Sequence, residues 1–238
     1  MNKKKIFLIL ALVLLVVLGV NTYFVFRSMR SYNEGNAVYD EIRKEAADES
    51  EESGLDFAEL KRINPDFVGW LSLNDTVIDY PVVKGQDNDY YLTHLFTGEY
   101  NTLGSIFVDF RNNDLFTDKV NVIYGHSMLN GSMFFVLEKY KNQSFYDEHP
   151  AFLFQMEDHD YYFYPIAGVI KDAKEPFVEF DFASDQEFYD YIDGFIKRST
   201  FRSAESFVPE DKVVMMIKCS KDFDDARYVL ISKVVEVD

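Results

Sequence analysis

The sequence predicts a mainly β body, a barrel or sandwich of seven or eight short strands with one inserted helix, behind an N-terminal membrane helix. Three observations carry this reading. Short apolar runs bounded by polar turns recur from residue 67 to residue 235. Aromatic residues make up 17% of the chain, with 23 Phe and 16 Tyr, and such side chains suit a pleated, half-buried surface better than disorder. One stretch, residues 6–26, holds 21 positions without a charge, and at about 1.5 Å rise per residue that is enough to span a bilayer core.

Lys3, Lys4 and Lys5 precede the apolar stretch, while Arg27 and Arg30 follow it. The three packed lysines and the start amine favour a cytoplasmic N-terminus. No small-x-small cleavage site follows the stretch, so an uncleaved anchor is expected, with the body outside the membrane. Residues 1–30 then form a cytoplasmic tip and anchor, 31–54 an acidic stalk that is helical or loosely ordered, and 55–238 the domain. Residues 1–30 hold five of the 24 bases and none of the 41 acids, which leaves the exported part at −22. That charge argues against nucleic acid as a partner and against docking on an anionic membrane surface.

Each element of the body has a local reason. Residues 56–63 form a short helix that must stop before Pro65, because the residue ahead of a proline avoids the α region. Residues 67–73 and 76–80, joined by Asn74-Asp75, predict a hairpin, and residues 81–84 extend its apolar run. Residues 105–110 and 120–124 are two further strands around the polar loop 111–119. Residues 132–140 predict a helix of two turns, and 151–156 with 161–170 a strand pair. Over 185–198 the spacing of Phe188, Tyr191, Ile192, Phe195 and Ile196 is helical. Asp185 and Glu187 at its start and Lys197 and Arg198 at its end match the macrodipole. The apolar run 213–217 and the stretch 228–235 predict the last two strands, with a polar loop over 220–225.

The chemistry gathers at the end of that penultimate strand. Cys219 is the only cysteine. An unpaired thiol in an exported domain forms no disulfide within the chain, which makes it a candidate nucleophile. A period of two sets Cys219 on the face of Val213, Met215 and Ile217, and Lys218 on the other. Arg227, at the mouth of the last strand, is a candidate charge stabiliser across the loop. The thiolate is the reactive form, so a base or imidazolium partner is needed. Of His94, His126, His149 and His159, His126 has the context for it, directly after the strand 120–124 and Gly125. The other three suit surface positions. The turn Glu157-Asp158-His159-Asp160 has metal-ligating residue types, but acid-rich turns are commonplace.

Residues 121–128, Asn-Val-Ile-Tyr-Gly-His-Ser-Met, followed by Asn130-Gly131-Ser132-Met133-Phe134, resemble the catalytic-histidine segment of class B sortases. Trp70-Leu71, then Ile78-Asp79-Tyr80-Pro81-Val82-Val83, is similar to the strands that open that family's barrel. The segment 104–112 fits the strand before the histidine, and Cys219 with Asp224-Asp225-Ala226-Arg227 fits the end of the domain. The resemblance covers residues 55–238. It implies a closed sortase-type β-barrel of about eight strands with short helices, and a membrane-anchored extracellular cysteine transpeptidase. In it Cys219 is the nucleophile, His126 the proton donor and acceptor, and Arg227 the stabiliser of oxyanion and substrate. It implies no metal or organic cofactor. The partners it implies are a secreted protein bearing a C-terminal sorting signal and an amine acceptor, either a cell-wall peptide precursor or a pilin lysine. One departure stands out: Met215-Met216-Ile217-Lys218 replaces the usual Thr-Leu-x-Thr before the cysteine, and the charge of Lys218 favours a thiolate. The rival readings are a hydrolytic cysteine protease and a catalytically silent, membrane-tethered assembly module.

Overall fold

In β7 (Val213–Cys219) alternate side chains enter two different cores. Val214 and Met216 join a large aromatic cluster, while Val213, Met215 and Ile217 join a smaller one. All five are fully buried. A strand covered on both faces reads as an unbroken apolar run, and this one lies in the wall of a closed barrel. The computed structural model describes residues 3–47, 54–113, 115–172, 178–219 and 226–237. The barrel strands are β1 (Phe67–Ser72), β2 (Asp79–Val83), β3 (Ile106–Val108), β4 (Val120–His126), β5 (Phe152–Gln155), β6 (Asp160–Asp172), β7 and β8 (Ala226–Glu236). They close in the order β1-β2-β3-β4-β7-β8-β6-β5. The β2/β3 and β4/β7 pairs are parallel and the others antiparallel. The eight-stranded barrel expected from the resemblance is present.

The barrel interior is filled by rings, among them Phe107, Phe116, Phe134, Phe152, Phe154 and Phe163. Outside it, α4 (Asp185–Ile196) lays Phe188, Ile192 and Phe195 on β4, β6, β7 and β8 to make the second cluster. Ser184 caps this helix by accepting from Glu187 N, and Glu187 reaches back to Ala183 N at 2.6 Å. Such reciprocal capping satisfies donors that a helix start leaves open.

Several elements differ from the sequence reading. The second hairpin strand is Asp79–Val83, not 76–80, because the chain turns locally first: Thr76 N and Oγ1 both donate to Leu73 O, at 3.2 and 2.8 Å. Strand β4 runs two residues further than expected, so His126 ends the strand instead of following it. The stretch read as a two-turn helix is a 3-10 helix, Phe134–Lys141, followed by an unpredicted α3 (Gln143–Glu148). Helix α2 (Phe57–Ile63) forms as expected, with Asp56 as its cap.

The largest difference is at the N-terminus. Helix α1 runs unbroken from Lys3 to Glu45. Its segment 6–26 is largely exposed and is long and apolar enough to cross a membrane. The same helix then packs on the barrel through the first half of the stretch read as a stalk. Gly35, Tyr39 and Ile42 are buried, as is Ala46 just beyond. Tyr39 meets Tyr80 edge-on at 5.3 Å, and Arg43 Nη1 donates to Asp79 O at 2.9 Å.

Candidate active site

Strands β4 and β7 run parallel and in register along their whole paired length, from Val120↔Val213 to His126↔Cys219. Two of the three candidate residues therefore face each other as Cα partners at the ends of adjacent strands. His126 shares the strand phase of Val120 and Val122, which pack in the cluster under α4, while Ile123 enters the barrel. Gly125 permits this ending: a Cβ there would lie 2.8 Å from the Phe134 ring, which packs against the backbone next to His126. The imidazole Nε2 lies 2.7 Å from Leu92 O. A carbonyl only accepts, so Nε2 carries the proton.

The third candidate enters from β8. The β7/β8 ladder ends at Ile217↔Val229, and continuing the same antiparallel register by two residues sets Arg227 opposite Cys219. On its other side Arg227 pairs in register with Lys171 of β6. Its Nε is buried and meets no hydrogen-bond partner among the described residues. A buried, charged donor without an acceptor is costly, and a carbonyl or oxyanion would satisfy this one. The loop 220–225 expected from the sequence lies outside the described residues.

Lys218 follows the predicted alternation. Its Nζ lies 3.3 Å from Glu138 Oε2, on the 3-10 helix against the barrel mouth. Glu138 also binds Lys141 at 3.0 Å. Burial disfavours its charge, but the two ammonium groups outweigh this and hold the carboxyl below its ordinary range. Lys218 is thus spent on Glu138.

Beside His126 lies a second polar cluster. Tyr124 donates to the fully buried Asp109 at 2.9 Å, and Arg111 grips the same carboxylate through Nε and Nη2 at 2.9 and 2.6 Å. Burial opposes the charge on Asp109, yet the Arg111 hydrogen bonds prevail and lower its pKa. Arg111 in turn stacks on Phe180 at 4.4 Å, tying β4 to the segment that leads into α4. The other histidines are placed elsewhere. His94 stacks on Tyr90 at 4.0 Å, and His149 caps α3. His159 lines a cavity of about 710 Å³ beside α2, which neither His126 nor Arg227 lines.

Leu92 was missed from the sequence because it acts through its carbonyl, which no side-chain type announces. In the sequence Gly104 stands only at the start of a strand motif. Its φ is +63°, and a Cβ there would come within 3.0 Å of His126 Cδ2. A glycine at a required left-handed position is the one signal the sequence offered.

No family model matches the chain. The chain is 36% identical over 179 residues to Sortase B of Listeria monocytogenes, an alignment covering 74% of this chain and 73% of that protein. Among solved structures, sortase B from Bacillus anthracis superposes with a TM-score of 0.78 at 29% identity, covering 88% of this chain and all of that one. The Staphylococcus aureus sortase B–substrate complex gives 0.73 at 31% identity, over 76% of this chain and 85% of the other. An eight-stranded barrel superposable on these enzymes, and a curated relative 36% identical over 74% of the chain, place the chain in the class B sortases, which are cysteine transpeptidases.

Proposed function

We propose that the chain is a membrane-anchored extracellular transpeptidase that cleaves a C-terminal sorting signal of secreted proteins and joins the acyl group to an amine of the cell wall or a pilin. The observation that carries the site is the register of His126 on Cys219, with Arg227 entering from the next strand. The Cys219 thiolate attacks the scissile carbonyl, and negative charge moves to its oxygen. Arg227 donates to that oxygen. The tetrahedral intermediate then collapses to a thioester, and the leaving amine takes its proton from His126. Because Nε2 is committed to Leu92 O, proton exchange falls to Nδ1. An incoming amine attacks the thioester, gives its proton to His126, and releases the thiolate. The S. aureus relative in complex with a substrate supports a substrate site in this fold.

The full chain in nanodiscs, given a labelled sorting-signal peptide with and without an amino-terminal glycine peptide, tests the reaction. Transfer of the label to the amine is the expected result. Hydrolysis alone identifies a cysteine protease, and no thioacyl adduct identifies a silent module. The outward orientation rests on the uncharged segment 6–26 behind Lys3, Lys4 and Lys5. Protease added to intact protoplasts is expected to digest the domain, and complete protection overturns that topology.

A further inference from the structure

The part of α1 just beyond the membrane segment grips the wall behind His126. Ser31, Gly35 and Tyr39 recur at four-residue spacing and so stack on one helix face. All three meet the segment 101–105. Asn101 Nδ2 donates to Ser31 O at 3.0 Å, and Ser31 Oγ lies 3.3 Å from Asn101 Oδ1. Gly35 brings the helix backbone so close that a Cβ would lie 2.8 Å from Leu103 Cδ2. Tyr39 is buried and donates its hydroxyl to Gly104 O at 2.7 Å, with Ser105 Oγ at 3.1 Å. Burial raises the phenol pKa far above its ordinary value, so the hydroxyl stays a donor at any working pH.

The same segment runs close behind the imidazole. A Cβ on Gly104 would come within 2.9 Å of Leu92 O and 3.0 Å of His126 Cδ2, and Leu92 O is the acceptor of His126 Nε2. Ser105 N donates to Tyr91 O and Asn101 N to Thr93 O, each at 2.9 Å, so backbone hydrogen bonds tie 91–93 to 101–105. Between the Tyr39 hydroxyl and the His126 ring stands one residue, Gly104.

Resting on the reading of His126 as the proton carrier, we propose that Tyr39 is a positioning residue for the transpeptidation. Through Gly104 and Leu92, α1 holds the His126 imidazole in one tautomer and one orientation. The membrane helix is then part of the scaffold of the active site as well as a tether. A displacement of about 1 Å in a reacting group can cost as much as ~10²-fold in rate, so loss of one remote hydrogen bond is expected to cost about tenfold.

The test uses the full chain in detergent micelles with ¹⁵N-labelled histidine. Tyr39→Phe removes only the hydroxyl. It is expected to let the His126 Nε2 proton exchange with water about tenfold faster, and to lower kcat about tenfold with KM for the peptide within about twofold. Arg30→Ala, an exposed position on the same helix, is the control and is expected to leave both readouts alone. An unchanged Nε2 proton and kcat in folded Tyr39→Phe overturns the proposal and limits Tyr39 to holding the helix. If Tyr39→Phe does not fold, Gly35→Ala presses on Leu103 from the same helix face and is read by the same two criteria. The proton-exchange readout needs no turnover. An inactive wild type therefore counts against the transpeptidase reading, while exchange still decides the role of Tyr39.

Discussion

Cys219→Ala is expected to abolish the thioacyl adduct with the labelled peptide, and His126→Ala to lower kcat by several orders of magnitude in a folded protein. The first removes the atom that forms the covalent bond. The second removes proton transfer worth about 10²–10⁴-fold, together with the imidazole's help in forming the thiolate. Folding survives because the side chain of His126 is only half-buried at a strand end. One structural loss is the donor to Leu92 O. Leaving one such carbonyl unpaired costs about 1–3 kcal/mol, within the margin of an ordinary domain. Circular dichroism and mass spectrometry of the trapped adduct check both variants. His94→Ala is the discriminating control, since His94 is stacked on Tyr90 with its Nδ1 2.7 Å from Tyr90 O. Equal damage from His94→Ala in a folded protein removes His126 as the specific proton carrier.

The core strands and the candidate residues were legible because their signals are carried by side chains. The run 213–217 is apolar at every position, as a strand buried on both faces requires, and the only cysteine follows after one intervening residue. Parity also separated Lys218 from Cys219, and the contact with Glu138 follows it. What failed was governed by backbone groups or by small residues. The hairpin moved by three residues because hydrogen bonds to the Leu73 carbonyl turn the chain early. The docking face of α1 was hidden in a charged stretch. Its stripe of Gly35, Tyr39, Ile42 and Ala46 has helical spacing, but Gly and Ala add little hydrophobicity and Tyr is ambiguous. Their value there is closeness of approach, which a hydropathy reading cannot register. Leu92 and Gly104 shape the histidine's surroundings through a carbonyl and a missing Cβ.

Arg227→Lys is expected to lower kcat/KM by about 10²–10³-fold although the charge is unchanged, and Arg227→Ala to cost somewhat more. As the thioester forms, charge passes through the carbonyl oxygen, and a preorganised donor at that point is worth about 3 kcal/mol. The surroundings of the arginine suit the proposed role. Its strand is pinned on one side to β6 at Lys171, and its Nε is buried without a partner among the described residues. The planar guanidinium can bond the oxyanion through one edge and a substrate carbonyl through another. A lysine places one mobile ammonium in the same space. It cannot reproduce two fixed donors, so matching the net charge recovers little. The competing account is that Arg227 only pairs with an acid such as Asp224 or Asp225, which lie outside the described residues. An exposed pair of that kind is worth under about 1 kcal/mol, and Arg227→Lys would then be nearly silent. The two accounts differ by about two orders of magnitude in kcat/KM for one conservative substitution, and a near-wild-type value in Arg227→Lys removes Arg227 from the catalytic site.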